Sequence, residues 1–454
     1  MKKNYDLLKG PIIPALSALA LPIMATSLIQ MAYNMTDMIW IGQIGSGAVA
    51  SVGAAGMYMW LSNGLATLAK MGGQIKVAQS IGSKSYKDAK AYARASFQMG
   101  ILFAIIFGII ALLFGKQMID FFQLNSEQVA MDATRYLMIT SGLVVFSFVN
   151  QIFTGVLTAM GNSRTSFLAT SVGLVMNIIL DPLFIFGFGF IPALGVVGAA
   201  IATVLAQSIV TLLFIYSVRK ETMIFTNLQV FRTKTMKHMK EIFRIGFPTA
   251  LQSMLFSSIS MVIARLIAGW GDAAVAVQKV GSQIESISWM TSEGYAAALN
   301  SFVAQNYGAN NPERIKQGYY ASMWLMLAWG ILCTILLLVF PQMIFRIFIQ
   351  ESDVLPLGVD YLRILALSEY FMCIEITTAG AFNGLGKTMP PSLISISLTA
   401  LRIPLAIWLS GLLGLNGIWW TITISSILKG IVLTAWFYII LKKPPFVKTK
   451  EIQV

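Results

Sequence analysis

The chain has 454 residues, 57% of them apolar and only 11% charged, with a mean hydropathy of +0.74. A water-soluble domain carries about 25% charged residues, so that class is excluded first. The formal net charge of +13 would suit nucleic acid, but its placement along the chain assigns it to a membrane surface. Crossing a bilayer core about 30 Å thick takes roughly 20 apolar residues. Twelve such runs follow one another, at 14–40, 48–70, 95–114, 134–158, 167–188, 194–218, 245–268, 275–300, 319–340, 361–382, 392–411 and 416–441. The sequence thus predicts an all-α integral membrane protein of twelve spans. Met1-Lys2-Lys3 before the first run resembles the start of a signal peptide, but the run is too long and eleven more follow, so it reads as a retained first helix.

With a cytoplasmic N-terminus, the inner connections hold most of the basic residues: Lys2, Lys3 and Lys9, the group from Lys76 to Arg94, Arg164, the group from Arg219 to Arg244, Arg314, Lys316, Lys387 and the tail from Lys442. The outer connections hold Lys116 and Arg346 and collect Asp120, Glu127, Asp132, Asp272, Glu351, Asp353 and Asp360. By the positive-inside rule both ends face the cytoplasm, which predicts a multi-pass protein of the inner or plasma membrane.

The chain repeats itself at an offset of 225 or 226 residues. Pro22 falls on Pro248, Gly45 on Gly271, Gln79 on Gln305, Gly82 on Gly308, Tyr136 on Tyr361, Gly155 on Gly380 and Gly161 on Gly386. Each half holds an even number of spans, so the halves are parallel, related by a pseudo-two-fold axis along the membrane normal. This divides the chain into a six-helix lobe at 1–218, a basic linker at 219–244 and a second lobe with its tail at 245–454. Substrate sites of such proteins form between repeats, and alternating access follows when the halves rock.

An ionised side chain in mid-membrane costs about 2.5–3.5 kcal/mol on insertion scales, so each one needs a partner, a cavity or a function. In the first half the acids within spans are Asp37 and Asp181, both in the outer part of the membrane. Asn177 precedes Asp181 by one helical turn and shares its face, and Asn150 and Thr203 offer further oxygens at comparable depth. The set suits a proton or a small hard cation, with sodium at Asp37, Asn177 and Asp181 as one option. Asp181 also precedes Pro182, where a helix kink or cap would suffice to explain it.

The second half differs: Glu285 and Glu293 lie on its second span, Glu369 and Glu375 on its fourth, and Lys279, Arg402 and Lys429 are also within spans. At the repeat offset Glu375 replaces Asn150 and Arg402 replaces Asn177. If these positions adjoin, an ion pair stands where the first half has two amides. Met and aromatic side chains such as Tyr33, Met57, Tyr58 and Trp289 suit a bulky organic cation as substrate, and also suit packing and the interfacial belt.

Enzymatic signals fail. Cys333 and Cys373 lie in apolar runs without CxxC spacing, and His238, the one histidine, sits between Lys237 and Lys240. The run Asn383 to Thr388 lacks the first glycine of a phosphate loop, with Ala381 in its place. No HExxH or GxSxG accompanies the acids. The chain therefore reads as a transporter rather than an enzyme, with membrane lipid around it and no cofactor, nucleic acid or nucleotide-binding subunit. Its energy comes from an ion gradient or from a partner chain.

Leu21-Pro22 followed by Asp37, the repeated AQ-x-x-G at Gln79 and Gln305, and NIILDP from Asn177 to Pro182 carry a resemblance that covers nearly the whole chain. It resembles the multidrug and toxic compound extrusion family, MATE, within the MOP flippase superfamily. The resemblance implies a V-shaped pair of six-helix lobes and export of drugs against an inward flow of protons or sodium. It also implies that Asp37, Asn177 and Asp181, with Asn150 and Thr203, form the cation site of the first lobe. Many relatives carry an acid within the seventh helix; here Pro248 to Ala268 offers only Arg265. The nearest alternative is a flippase for lipid-linked saccharides, which would use basic residues such as Arg265 and Arg402 to meet pyrophosphate.

Overall fold

The computed structural model describes residues 6–122, 124, 126–189, 192–219, 223–226, 228–230, 236–349 and 351–443. Among the described residues sixteen helices follow in order: α1 (Ile12–Ile44), α2 (Ser46–Gly82), α3 (Tyr86–Asp120), α4 (Glu127–Gly142), α5 (Val145–Ala159), α6 (Ser163–Ile185), α7 (Gly195–Val218), α8 (Met236–Ala268), α9 (Asp272–Gly308), α10 (Pro312–Val339), α11 (Pro341–Arg346), α12 (Leu355–Ala366), α13 (Glu369–Gly384), α14 (Met389–Ala400), α15 (Arg402–Leu413) and α16 (Leu415–Leu441).

Among the described residues eight spans are long and apolar enough to cross a membrane, with α14 and α15 together counting as one. The number rises to ten when α4 with α5, bent by 46°, and α12 with α13, bent by 47°, each count as one broken span. The helices α2 and α9 miss that hydropathy test although each has 37 residues, about 55 Å at 1.5 Å per residue. Their composition follows from their place: α2 packs against α3, α4, α5 and α7, and α9 against α10, α12 and α13. A helix surrounded by helices needs small residues rather than large apolar ones.

The packing is inside out relative to a soluble protein. On α3 the buried side chains include Ala89, Ala93, Ser96, Gly100, Ala104, Gly108, Ala111 and Gly115, spaced by three or four. Its large side chains Leu102, Ile105, Ile106, Ile109, Leu112 and Leu113 are exposed. Small residues let helix backbones approach where water supplies no hydrophobic drive, and the large ones face lipid. The protein is a multi-pass membrane protein.

Two compact units emerge, one holding Ala25–Ala250 and the other Tyr5–Met24 with Leu251–Val454. The breaks fall inside continuous helices, two residues beyond Pro22 of α1 and Pro248 of α8. Relative to lobes ending at 218 and starting at 245, the first turns of α1 therefore pack in the second unit. Leu16, Leu19 and Ala20 join its core with Leu299, Phe302 and Phe382, and the hydroxyls of Ser17 and Tyr295 lie 2.6 Å apart. The first turns of α8 pack in the first unit, where a Cβ at Gly246 would overlap the Leu68 carbonyl.

Left-handed backbone positions recur with the repeat: Gly45 and Gly271, Lys84 and Asn310, Gly161 and Gly386. The next pair, Gly195 and Gly414, is 219 apart. The connection before the last helix is thus six residues shorter in the second half, and the register read from the sequence ends there.

Candidate cation site

In the first unit α1 supplies Asp37, α6 supplies Asn177 and Asp181 one turn apart, α4 supplies Tyr136 and α7 supplies Thr203. Asp181 is fully buried, Asn177 is buried and Asp37 is half-buried. The Asp37 and Asp181 carboxyls interact with each other, and the Asn177 side chain lies beside Asp181. Tyr33 and Tyr136 face both acids, and the Thr203 hydroxyl sits at the two phenols. At hydrogen-bond geometry Asp37 Oδ1, both carboxyl oxygens of Asp181 and Asn177 Nδ2 have no partner.

This environment has a definite chemical consequence. Two like charges close together in a buried site repel, so one proton shared between them, or a bound cation, is the stabilising addition. The carboxyl oxygens and the Asn177 amide are hard donors of the kind an alkali cation accepts. Among the described residues no group of three or more His, Cys, Asp or Glu is placed to hold a metal ion.

Asn150 is engaged elsewhere. Its Nδ2 donates to the Gln207 backbone oxygen and to Gln207 Oε1, both at 2.9 Å, and its Oδ1 accepts from Thr211 at 2.8 Å. The amide is satisfied one turn of α7 beyond Thr203. The oxygen expected of Asn150 at the depth of the two aspartates is bonded to Thr211 of α7, and α5, which carries it, is bent by 46° from α4.

The second unit builds a different set. Tyr361 of α12 donates to Glu285 Oε2 at 2.9 Å and accepts from Gln278 Nε2 at 3.4 Å. Glu369, the first residue of α13 after the bend, is buried with both carboxyl oxygens unpartnered, beside Ser288 and in electrostatic contact with Glu285. Beyond Glu285 comes Arg402, whose Nε donates to Ser425 Oγ at 2.6 Å and whose Nη2 donates to Ser426 Oγ at 3.2 Å. Glu375 pairs with Lys429 at 3.2 Å. Arg402 does feel Glu375 electrostatically, but the ion-pair partner is Lys429, because α16 presents it directly to α13. Glu293 lies on an exposed face of α9.

The MatE family model matches twice, at residues 22–183 and 248–408, with starts 226 and ends 225 residues apart. The chain belongs to the MatE family. The probable multidrug resistance protein NorM of Thermotoga maritima is 30% identical over 410 residues, covering 88% of this chain and 87% of that one. The multidrug export protein MepA of Staphylococcus aureus is 25% identical over 427 residues, 93% of this chain and 92% of its own. A FAD transporter of Shewanella oneidensis is also 25% identical, over 95% of each chain. The fold matches an outward-facing multidrug resistance MATE family transporter of the MOP superfamily with a TM-score of 0.89 at 24% identity, over 97% of this chain and 98% of that one.

Within this MatE chain two tyrosines were missed as site residues. Tyr136 faces Asp37 and Asp181, and Tyr361 donates to Glu285. Their signal was present, because each falls on the other in the repeat, although the acids they attend do not. Lys429 is read from the sequence as a charge within a span, but not as the partner of Glu375. It sits at the centre of an apolar helix, where an unexplained cation calls for an acid on a neighbouring helix.

Proposed function

We propose that this protein is a cation-coupled antiporter that exports organic cations by alternating access. The observation that carries the reading is the Asp37 and Asp181 pair: two acids within hydrophobic helices, with orphan oxygens and no basic side chain among their described neighbours. A structural acid in a membrane is paired with a base; an unpaired couple costs stability and is retained where it exchanges an ion.

In this reading α2 and α9 complete a count of twelve spans and both chain ends lie in the cytoplasm. A proton or sodium ion bound at Asp37, Asp181 and Asn177 favours the state that releases substrate outside. Pro22 supplies the place where α1 bends, since a proline inside a helix removes one backbone hydrogen bond. Substrate and ion oppose each other through the two-state equilibrium, and the opposition is reciprocal. The multidrug names of the NorM and MepA relatives support drugs as the cargo.

The flippase reading gains little from the second unit. A pyrophosphate needs free basic groups, and Lys429 is held by Glu375 and Arg402 by two serine hydroxyls, which leaves the exposed Arg265 and Lys279 within the spans of that unit.

The test is exchange in everted membrane vesicles. Adding an organic cation to vesicles with an imposed pH gradient collapses that gradient if protons are exchanged, and sodium moves instead if sodium is the ion. A gradient of either ion left untouched by every organic cation tried would overturn the antiport reading.

A further inference from the structure

The first unit carries a second feature, remote in character from the acidic pair. Between α3 and the first two turns of α8 runs a groove of about 400 Å³. Its floor and walls are apolar, with Leu102 and Phe103 from α3 and Met239 and Phe243 from α8, and Lys237 and Lys240 stand at its rim. Leu102 and Phe243 are 47% and 44% exposed, so the slot opens outward from the helix surface.

The walls are fixed from behind. Glu241 of α8 turns into the unit, where Lys76 pairs with it at 2.8 Å and the Tyr92 hydroxyl donates to it at 2.7 Å. The His238 ring meets the Tyr92 ring edge-on at 4.7 Å. Along α3, Lys90, Arg94 and Gln98 donate to the backbone oxygens of Thr226, Leu228 and Val230 at 2.5, 2.7 and 2.6 Å. Three side chains four residues apart thus strap the linker to α3 next to the groove.

The one acid of this stretch of α8 is consumed by Lys76. Lys237, Lys240 and Arg244 are exposed and form no salt bridge among the described residues. Residues 102 and 103 lie in the inner part of an apolar span in the topology proposed above, on which this inference rests. A cationic rim over an apolar slot at that level matches a ligand with a negative head and a hydrocarbon tail. A soluble anion would leave the slot unused. A zwitterionic lipid would gain little from two lysines.

We propose that this groove is a binding site for an anionic phospholipid of the cytoplasmic leaflet, with one acyl chain on Leu102, Phe103, Met239 and Phe243 and the phosphate at Lys237 and Lys240. The lipid would fasten the start of α8 to α3 at the point where the chain passes from the linker into the second repeat.

Native mass spectrometry of the full chain, titrated with phosphatidylglycerol, phosphatidylcholine or glycerol 1-phosphate, tests this directly. The expected result is a retained phosphatidylglycerol adduct, preferred over phosphatidylcholine by about tenfold or more, and none with glycerol 1-phosphate. Lys237→Gln with Lys240→Gln loses the preference, Lys237→Arg with Lys240→Arg keeps it, and Phe103→Ala weakens both lipids alike. An unchanged preference in the double Gln variant, or equal retention of glycerol 1-phosphate, would overturn the proposal. Efflux assays play no part in this readout, so a failure of the antiport reading leaves it intact.

Discussion

The two units bury acids near matched tyrosines, Tyr136 and Tyr361, and then treat those acids in opposite ways. In the first unit Asp37 and Asp181 meet each other, an amide and two phenols, and no basic side chain is among these neighbours. In the second unit Glu285 has Arg402 near it and Glu375 pairs with Lys429, while Glu369 lies against Glu285 and Ser288. A buried acid with a basic partner is part of the packing, and removing either member leaves an uncompensated charge. A pair of acids without a base is set up to take a cation from outside. On the proposed function the contrast separates a structural network from an exchange site, and it can be broken by single substitutions.

The largest effect on stability is expected in the second unit. Lys429→Met leaves Glu375 buried without its partner and costs about 3–5 kcal/mol, read as a large fall in Tm in detergent. The double variant Lys429→Met with Glu375→Leu recovers most of it, because an apolar pair of similar volume is close to neutral there. Equal losses in the single and double variants would show that the pair is not what holds α13 to α16.

Next come the repeat-related glycines. A Cβ at Gly380 would lie 2.5 Å from the Ala296 backbone oxygen, whereas one at Gly155 meets Lys70 at 3.1 Å or more. Gly380→Ala therefore costs about 1–3 kcal/mol through forced backbone shifts, and Gly155→Ala visibly less, in the same thermal assay. Tyr361→Phe follows, removing the hydrogen bond donated to Glu285 and the longer one accepted from Gln278, at about 1 kcal/mol or somewhat more. Asp181→Asn is expected to change stability least and in the opposite direction. It removes a like charge from a buried pair, so Tm holds or rises while transport fails; a clear fall in Tm would place Asp181 among the structural acids.

Much of this was legible in the residues. The repeat showed because paired glycines and polar turns stay in register through most of each half. Asp37 and the Asn177 and Asp181 pair stood out because charge inside an apolar run is costly enough to need a reason. What could not be read depends on helix phase after a bend and on which neighbour faces which. Asn150 follows the break between α4 and α5 and turns to Gln207 and Thr211. Glu375 pairs with Lys429 rather than Arg402, and the shorter connection before α16 changes the numbering offset there, so the repeat register read over the rest of the chain could not point to that partner. The exchange of first turns at Pro22 and Pro248 could not be read from the sequence, because both stretches belong to continuous helices that run on past the prolines.

The central claim is that Asp37 and Asp181 bind the coupling ion, and efflux of a fluorescent organic cation from proteoliposomes tests it most directly. Wild type and Asp37→Asn are compared under imposed proton and sodium gradients, with equal insertion verified. The predicted result is export by the wild type driven by one gradient, and loss of that gradient dependence in Asp37→Asn with the fold intact. Undiminished gradient-driven export by Asp37→Asn would contradict it.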